Sequence, residues 1–243
     1  MNKKNMIICL LLAVIFVLIF ISFYMTLNTT KTSDNYSKNV LASNSLGNVT
    51  LEGPYGNESS NKKIAFIIGV HPLESNSHNA LLNLIREKNE SLNYCYYIYI
   101  INVTKDKNDF DKGRLNGQLL AKSYVVPHII KNNYSFVVDI HSHRSDYIEN
   151  NFIVSPMNDK KSEEIGYSII KRINGMHILK FEPATDNSPS SPEYVTIPII
   201  KNGTPSIIYE TLINEPTNIT YTYLSQFINN LDNLNFYDLT LTD

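Results

Sequence analysis

The stretch IAFIIGVHPLESNSH, residues 64–78, combines the features of a strand, a turn and the start of a helix. Its first seven residues are apolar and rich in β-branched side chains, which indicates a strand buried on both faces. Two metal-binding residue types, His71 and Glu74, follow at once, and Pro72 suits the first positions of a helix. Ligands of open α/β sheets bind beyond the carboxyl ends of the strands. The stretch therefore predicts an α/β fold with a functional site at this point.

The rest of the chain after Lys63 repeats the alternation of apolar strands and amphipathic helices. The predicted strands cover residues 64–70, 95–102, 135–141, 151–156, 176–181, 194–200 and 205–211. The predicted helices cover residues 79–88, 117–132 with an interruption at Pro127, 160–174 and about 221–234. We therefore expect an α/β fold with a mixed, mostly parallel sheet and helices on both faces, preceded by one transmembrane helix.

The transmembrane helix is predicted from the run MIICLLLAVIFVLIFISFYM, residues 6–25. This run is uncharged and about 20 residues long, which is enough to span a bilayer. A cleaved signal peptide has a shorter apolar core followed by small residues, so an uncleaved anchor is expected. Lys3 and Lys4 precede the run, which places the N-terminus in the cytoplasm and the remainder outside. We expect a single-pass protein of the cell membrane with an extracytoplasmic domain.

Four segments follow from this organisation: a cytoplasmic stub over 1–5, an anchor over 6–26, a polar linker over 27–62 and a folded domain over 63–243. Residues 49–55 of the linker could add an edge strand. N-x-S/T triplets permit N-glycosylation of an exported chain, although an asparagine-rich sequence also generates them by chance. These triplets begin at Asn28, Asn35, Asn48, Asn57, Asn89, Asn102, Asn133, Asn202 and Asn218.

The composition argues against a nucleic-acid-binding protein and against a disulfide-stabilised one. The 243 residues carry a formal charge of -2 and show no basic stripe, so a nucleic-acid partner is not expected. The two cysteines, Cys9 and Cys95, both lie in apolar runs, and no disulfide is expected between them. The chain is therefore read as one ordinary globular domain behind an apolar segment.

Three predicted strands end in side chains that can bind a divalent metal. The first leads to His71 and Glu74, the third carries Asp139 and His141, and the last carries Glu210. A catalytic zinc ion takes three protein ligands from nitrogen and oxygen donors and leaves the fourth position to water. Each residue alone has an ordinary surface or core explanation. Their combination at one sheet edge indicates a site, because a carboxylate that ends a buried strand needs compensation.

The segments GVHPLE, VVDIHSH and IIYET, in this order, resemble the zinc carboxypeptidase superfamily, especially its succinylglutamate desuccinylase and aspartoacylase-like branch. That family carries G-x-H-x-x-E after the first core strand, D-x-H on a later strand and a catalytic glutamate on a late strand. The resemblance covers residues 64–211. It implies one zinc ion per chain bound by His71, Glu74 and His141, with Glu210 as the general base.

Two neighbours of His141 extend this reading. Asp139 precedes it by two residues on the same strand and therefore faces the same side, from which it could orient the site. His143 lies on that face too and is the alternative third ligand. Of the other histidines, His78 is expected on a helix surface.

The resemblance also implies an arginine and an asparagine that hold a substrate carboxylate. Arg114 and Asn116 in DFDKGRLNGQLLA correspond to them, and a guanidinium matches a carboxylate through two hydrogen bonds. The family order is asparagine then arginine, whereas here Gly117 follows Asn116. This departure allows Arg144 to take over the role, or Arg114 to be a surface residue. Tyr194 either packs in a strand or covers the site.

We therefore expect a membrane-anchored, extracytoplasmic zinc hydrolase of the carboxypeptidase or N-acyl amino acid deacylase type. Its location suggests peptide or N-acyl amino acid substrates, such as cell-wall peptides. The main alternative is a non-catalytic cell-surface binding or adhesion module with the same fold. A further alternative keeps the metal but hydrolyses esters or small N-acyl compounds.

Overall fold

The computed structural model describes residues 2, 5, 12–20, 36–145, 147–181 and 190–236. The chain divides into residues 1–35 and residues 36–243. In the first unit, residues 12–20 are helical (α1), and the rest of the predicted anchor, 6–11 and 21–26, lies outside the described residues. Among the residues described, every helix is too short or too polar to cross a membrane. The anchor therefore stays a prediction.

One sheet of eight strands forms the centre of the second unit. The described strands are β1 (Ser37–Asn44), β2 (Gly47–Gly56), β3 (Lys63–Ile68), β4 (Cys95–Val103), β5 (Phe136–His143), β6 (Asn151–Ser155), β7 (Met176–Lys180) and β8 (Ser206–Leu212). Their order across the sheet is β1-β2-β4-β3-β5-β8-β6-β7. Strands β4, β3, β5 and β8 are mutually parallel, whereas β2 and β6 run antiparallel to β4 and β8. The predicted mixed, mostly parallel sheet is confirmed.

Helices cover both faces of this sheet, as predicted. They are α2 (Ser75–Lys88), α3 (Phe110–Leu120), α4 (Val126–Lys131), α5 (Lys160–Ile170), α6 (Ser191–Tyr194), α7 (Thr196–Lys201) and α8 (Thr217–Asp232). Alternate residues of β3 enter two hydrophobic clusters. Phe66 packs with α2, α5 and α8, and Ile67 packs with α3, α4 and α7. The strand is therefore buried on both faces, which explains its uninterrupted apolar sequence.

The predicted linker over 27–62 is wrong for its second half. Strands β1 and β2 pair antiparallel, and β2 continues the sheet onto β4. Val49 and Tyr55 are fully buried, so the suggested strand at 49–55 lies inside the sheet rather than at its edge. The strand was not recognised because a charged residue, Glu52, stands in its middle. Glu52 is nevertheless buried, since it pairs with Arg86 of α2.

The strand predicted over 194–200 is also wrong, because these residues belong to α6 and α7. Ser190 and Glu193 form a reciprocal capping box that begins α6. Pro198 lies in the first turn of α7. Backbone N–H groups in the first turn form no hydrogen bond within the helix, so the N–H group that proline lacks is not needed there. Val195 and Ile199 are four residues apart and both buried, so the same β-branched run satisfies a helical period.

The helix predicted over 117–132 begins earlier and is divided. Asp109 caps α3 by accepting a hydrogen bond from the Lys112 N–H at 3.0 Å. A single π-helical segment, Ala121–Val125, separates α3 from α4, and Pro127 stands at the start of α4. The early start matters for the site, because it places Arg114 and Gln118 on one helix that lies against the turn after β3.

Candidate metal centre

The candidate site lies beyond the carboxyl ends of the central strands β3, β5 and β8. His141 of β5 is in register with Glu210 of β8, so the two side chains project from the same face of the sheet. The turn after β3 brings His71 to the same place. Gly69 makes this turn possible, because its φ is +83° and a Cβ there would lie 2.0 Å from the carbonyl oxygen of Ile101.

Three buried side chains converge at this edge: His71, Glu74 and His141. Nδ1 of His71 lies 2.8 Å from Oε1 of Glu74 and 2.9 Å from Nδ1 of His141. Nδ1 of His141 lies 3.1 Å from Oε2 of Glu74. Zinc bonds of about 2.0–2.2 Å in a tetrahedron place ligand atoms roughly 3.3–3.6 Å apart. The three donor atoms lie a few tenths of an ångström closer than this, and their types, two imidazole nitrogens and a carboxylate oxygen, suit one divalent metal ion.

Glu74 is the electrostatic centre of this cluster. Its Oε1 accepts a hydrogen bond from Nη1 of Arg114 at 2.9 Å, and its Oε2 accepts one from the Ser142 N–H at 3.0 Å. Burial alone would raise its pKa, but His71 and His141 hold that pKa well below its usual range. Glu74 is therefore ionised, which is the form that a metal ligand requires.

The two histidines differ in their surroundings. Burial, with the neighbouring His141, lowers the pKa of His71 to about 3, so that its ring is neutral. Burial acts in the same direction on His141, but the carboxylates of Asp139 and Glu74 outweigh it and raise the pKa of His141 well above its ordinary value. Without a bound cation, His141 therefore supplies the positive charge that these buried carboxylates require.

Asp139 lies against His141, as its position on the strand predicts. Its Oδ2 is 3.0 Å from Nε2 of His141, and the side chain is fully buried. Neither carboxylate oxygen has a partner in hydrogen-bond geometry among the described residues. The contact is therefore electrostatic, and it orients the ring of His141.

Glu210 lines the cavity beside the three candidate ligands. Its Oε2 is buried, and no described residue forms a hydrogen bond with it. Burial raises the pKa of this carboxyl to about 8, and the charge of Glu74 acts in the same direction. A carboxyl group with a pKa near neutrality can both accept and release a proton at physiological pH.

A chain of buried hydroxyl groups lies behind the site, and sequence reasoning missed it. The Oγ of Ser142 lies 2.9 Å from the Oγ of Ser77 and 3.0 Å from the Oγ1 of Thr211. These three hydroxyls connect α2, β5 and β8. Ser142 and Thr211 directly follow His141 and Glu210 in the sequence, so polar residues on the reverse face of two buried strands were the available signal.

His143 lies apart from the candidate ligands, and its two ring nitrogens have other partners. Nε2 lies 3.0 Å from the carbonyl oxygen of Asn150, and Nδ1 accepts a hydrogen bond from the Ser145 N–H at 3.2 Å. Among the described residues, the cluster of side chains that could bind a metal ion contains His141 instead. His143 therefore fixes the loop that follows β5.

The three predicted substrate-binding residues, Arg114, Asn116 and Arg144, have different surroundings. Arg114 lines the cavity, whereas Asn116 donates a hydrogen bond to the carbonyl oxygen of Lys105 at 2.9 Å. The exposed Arg144 stacks on the ring of Phe110, 3.6 Å from its centroid, and Arg114 lies 4.9 Å from the same centroid. Asn116 thus contacts the loop before α3, and two guanidinium groups lie against one aromatic ring near the site.

Two other sequence-based expectations are corrected here. His78 is buried rather than on a helix surface, and its Nε2 lies 3.1 Å from the carbonyl oxygen of Ile140. Burial lowers its pKa to about 4, which keeps the ring neutral. Tyr194 ends helix α6 instead of packing in a strand, and it lines the cavity with the ammonium group of Lys122 over its ring.

The cavity over the site has a volume of about 1050 Å³. Its polar walls include His71, Asp111, Arg114, Gln118, His141 and Glu210. Its apolar walls include Leu115, Val154, Leu179, Phe181 and Ile208. This volume is large enough for a small peptide or an acylated amino acid.

The chain thus has an α/β fold similar to that of metallo-carboxypeptidases and a candidate His-Glu-His metal centre at the carboxyl edge of the sheet. No family model matches the sequence, and no curated protein matches it significantly. The similarity to known proteins is therefore one of structure.

Three solved structures illustrate this similarity. A proposed metallopeptidase of Shewanella denitrificans matches with a TM-score of 0.52 and 14% identity, over 87% of this chain and 88% of the other. The tripeptide-bound cell shape determinant protein Csd4 of Helicobacter pylori matches with a TM-score of 0.51 and 13% identity, over 80% of this chain and 54% of Csd4.

The third is a metallo-carboxypeptidase of Pseudomonas aeruginosa in complex with (2-guanidinoethylmercapto)succinic acid. It matches with a TM-score of 0.50 and 11% identity, over 79% of this chain and 63% of the other. The chain thus spans about half of Csd4 and less than two thirds of the Pseudomonas protein. The resemblance to zinc carboxypeptidase-like proteins expected from the three sequence segments is confirmed at the level of the fold.

Proposed function

We propose that this chain is a zinc-dependent hydrolase of peptide or N-acyl amide bonds. The observation that carries the proposal is the convergence of His71, Glu74 and His141, whose donor atoms lie about 3 Å apart at the carboxyl edge of the sheet. The carboxyl group of Glu210 lies beside them in the cavity and is the proposed proton acceptor. The metallo-carboxypeptidase-like fold supports the same assignment.

The reaction follows from the roles of these side chains. Zinc, when bound, lowers the pKa of a water molecule and polarises a substrate carbonyl. Glu210 takes a proton from the water molecule while the oxygen of that water attacks the carbonyl carbon of the substrate. The same carboxyl then gives the proton to the amine nitrogen as the carbon–nitrogen bond breaks. Asp139 holds the ring of His141 in place through their charge contact.

Arg114 is the proposed substrate anchor. Its side chain is one-third exposed and lines the cavity, while one nitrogen donates a hydrogen bond to Glu74. The remaining N–H groups can bind a substrate carboxylate or carbonyl oxygen. Arg144 contacts the same Phe110 ring as Arg114 and can add a second positive charge for an anionic substrate.

The location and substrate source remain part of the proposal. The apolar run over 6–25 behind Lys3 and Lys4 supports a membrane anchor with the second unit outside the cytoplasm. The tripeptide in the Csd4 structure supports a peptide substrate, and an extracytoplasmic enzyme would meet cell-wall peptides. An extracytoplasmic location would also expose the N-x-S/T triplets to N-glycosylation.

Metal content tests the site directly. We would purify the full chain in mild detergent, supply zinc, and measure bound metal by mass spectrometry. The native protein should bind about one zinc ion per chain, and His71→Ala, Glu74→Ala and His141→Ala should each lose it. His143→Ala is the matched control and should retain the metal, since His143 lies apart from the cluster. A native protein without bound zinc would overturn the proposal.

The role of Glu210 is tested by hydrolysis of short peptides and N-acyl amino acids. Glu210→Gln should keep zinc and lose about 10²–10⁴-fold in kcat, because the amide cannot take the proton from water. Full activity in this variant would contradict the assignment. Zinc binding without hydrolysis of any substrate by the native protein would favour a surface-binding module.

A further inference from the structure

The chain of buried hydroxyl groups behind the site ends on a candidate metal ligand. The Oγ of Ser142 lies within hydrogen-bond distance of both Ser77 and Thr211, at 2.9 Å and 3.0 Å. Ser77 in turn donates a hydrogen bond to the backbone carbonyl oxygen of Glu74 at 3.2 Å. Ser77 and Thr211 are fully buried and Ser142 is nearly so. Bulk water therefore does not compete for these hydrogen bonds.

The hydrogen atoms of this chain have one direction. A hydroxyl group has a single hydrogen to donate, and a carbonyl oxygen can only accept. Ser77 gives its hydrogen to the carbonyl oxygen of Glu74, so it must accept one from Ser142. Ser142 must then accept from Thr211. The chain thus runs from Thr211 through Ser142 and Ser77 to Glu74, and each bond polarises the next.

Glu74 is held by Ser142 in a second way as well. The Ser142 N–H donates a hydrogen bond to Oε2 of Glu74 at 3.0 Å. Glu74 stands directly before α2, and a carboxylate there is attracted to the unpaired N–H groups of the first helical turn. Its side chain nevertheless forms no capping bond to the described helix. The contacts with Ser142 and Ser77 therefore hold Glu74 away from its own helix and toward the two histidines.

The same chain reaches the strand of the proposed proton acceptor. Ser142 is in register with Thr211, and the preceding pair, His141 and Glu210, is in register too. Successive side chains of a strand project from opposite faces. One pair of residues therefore faces the candidate metal centre, while the next pair faces α2. The hydroxyl chain joins the start of α2 to both strands at the level of the site.

Resting on the proposed function, we infer that Ser77, Ser142 and Thr211 are positioning residues whose hydroxyl chain fixes Glu74 for metal binding and aligns it with His141 and Glu210. All three act through Glu74 from the reverse face of the sheet. Residues that orient a metal ligand contribute about 10- to 100-fold to metal affinity. Because Thr211 acts through two other hydroxyls, we expect a contribution at the lower end of this range.

Zinc affinity of the full chain in mild detergent, measured by competition with a chromophoric chelator, tests the inference. Thr211→Val keeps the shape of the side chain and removes the hydroxyl, and should weaken zinc binding about tenfold. Thr211→Ser keeps the hydroxyl and loses a methyl group, and should remain within about threefold of the native affinity. A role in packing alone would reverse this order, since valine fills the space of threonine better than serine does.

Ser206→Ala is the matched control. Ser206 is a fully buried serine of the same strand, β8, and its Oγ has no hydrogen-bond partner among the described residues. Its substitution should leave zinc affinity unchanged. If Thr211→Val does not fold, Ser77→Ala tests the chain from its other end, because alanine is favoured in a helix, and it should also weaken zinc binding about tenfold.

A double variant shows whether the hydroxyls act as one chain. Ser77 and Thr211 both contact Ser142. Two independent losses of about tenfold would multiply to about a hundredfold. Breaking one chain at two places should instead cost little more than either single change. Native zinc affinity in both single variants, a multiplied loss in the double variant, or an equal loss in Ser206→Ala would overturn the inference.

Failure of this inference can be distinguished from failure of the proposed function. A native protein that binds zinc and hydrolyses amides, with unchanged zinc affinity in Thr211→Val and Ser77→Ala, would refute only the positioning role. Weakened zinc binding in these variants, without hydrolysis of any amide by the native protein, would refute only the hydrolase assignment. A native protein that binds no zinc would overturn both.

Discussion

At the residue scale, Glu52 shows how a buried carboxylate can hold several elements together. Its side chain accepts hydrogen bonds from the Tyr55 hydroxyl and the Arg86 guanidinium, and Lys38 lies 3.2 Å away. Burial alone would raise its pKa, but the hydrogen bonds from Tyr55 and Arg86 lower the pKa below its ordinary value of 4.5. Glu52 therefore joins β1 and β2 to α2 in its ionised form.

Glu52→Gln should lower the free energy of unfolding by about 2 kcal/mol at pH 7, because Arg86 loses a charged partner. A carboxylate whose pKa is lowered by folding stabilises the protein above its unfolded pKa, and that contribution disappears as pH falls through the folded pKa. The difference between native protein and variant should therefore shrink below about pH 4.5. Urea unfolding of the native protein and of Glu52→Gln at a series of pH values measures this difference in the free energy of unfolding.

Glu90→Gln provides the control for this prediction. Glu90 is exposed, so its substitution should change the free energy of unfolding by less than about 0.5 kcal/mol at any pH. A constant difference between native protein and Glu52→Gln from pH 7 to pH 3 would show that folding does not lower the pKa of Glu52.

The sequence allowed His71, Glu74, His141 and Glu210 to be predicted together, because all four follow or end apolar strands that run parallel. It did not allow the partners of these residues to be predicted. The Ser142 N–H that contacts Glu74 belongs to the backbone, and every residue has such a group. The burial of Glu52 was hidden too, since its partner Arg86 is 34 residues away in sequence.

At the element scale, Gly117 determines how closely α3 approaches the turn after β3. A Cβ at this position would lie 2.0 Å from the carbonyl oxygen of Val70 and 2.8 Å from its carbonyl carbon. Both atoms belong to the backbone immediately before His71. An arginine at this position, which the resemblance stated above predicts after Asn116, would therefore collide with the turn that carries His71.

Gly117→Ala should destabilise the protein by about 3 kcal/mol, although alanine normally favours a helix over glycine by about 1 kcal/mol. The same change should weaken zinc binding, because α3 can yield only by moving away from Val70. Chemical unfolding and zinc titration measure the two effects.

Gly166→Ala in α5 is the matched control for Gly117→Ala. Its Cβ would meet the flexible end of the Ile153 side chain at 2.6 Å, which can rotate away. Its effect should therefore be smaller, and zinc affinity should not change. A stabilising Gly117→Ala substitution would refute the close approach.

Element types were predictable where one period dominated. The β5 sequence, FVVDIHSH, is buried along its whole length and was recognised as a strand from its apolar run. The YVTIPII segment supported two readings, because its β-branched residues fit a strand while Val195 and Ile199 fit a helix. The choice depended on the capping residues Ser190 and Glu193, which lie outside the apolar run.

At the scale of the whole molecule, the β1–β2 hairpin decides where a folded fragment can begin. Strand β2 pairs with β4 along most of its length, and it covers the hydrophobic cluster through Val49. Removing residues 36–56 would expose β4 as a long apolar edge, which promotes aggregation. A fragment over 36–243 should therefore be monomeric and cooperative on unfolding, whereas one over 62–243 should aggregate.

Size-exclusion chromatography and thermal unfolding of the two fragments test this prediction. Equal stability of both fragments would mean that the hairpin is an independent addition to the sheet. The contact of Glu52 with Arg86 of α2 argues for integration, because it ties the hairpin to a helix on one face of the sheet.

The position of β8 has a consequence for synthesis on the ribosome. β8 is the last described strand to be made, yet it lies between β5 and β6 in the middle of the sheet. During translation, the part containing β3 to β5 and the part containing β6 and β7 have no strand to join them until about residue 212 has emerged. Such non-local pairing is slow to form. Glu210 arrives with that strand, so a nascent chain acquires its proposed proton acceptor only as the two halves of the sheet unite.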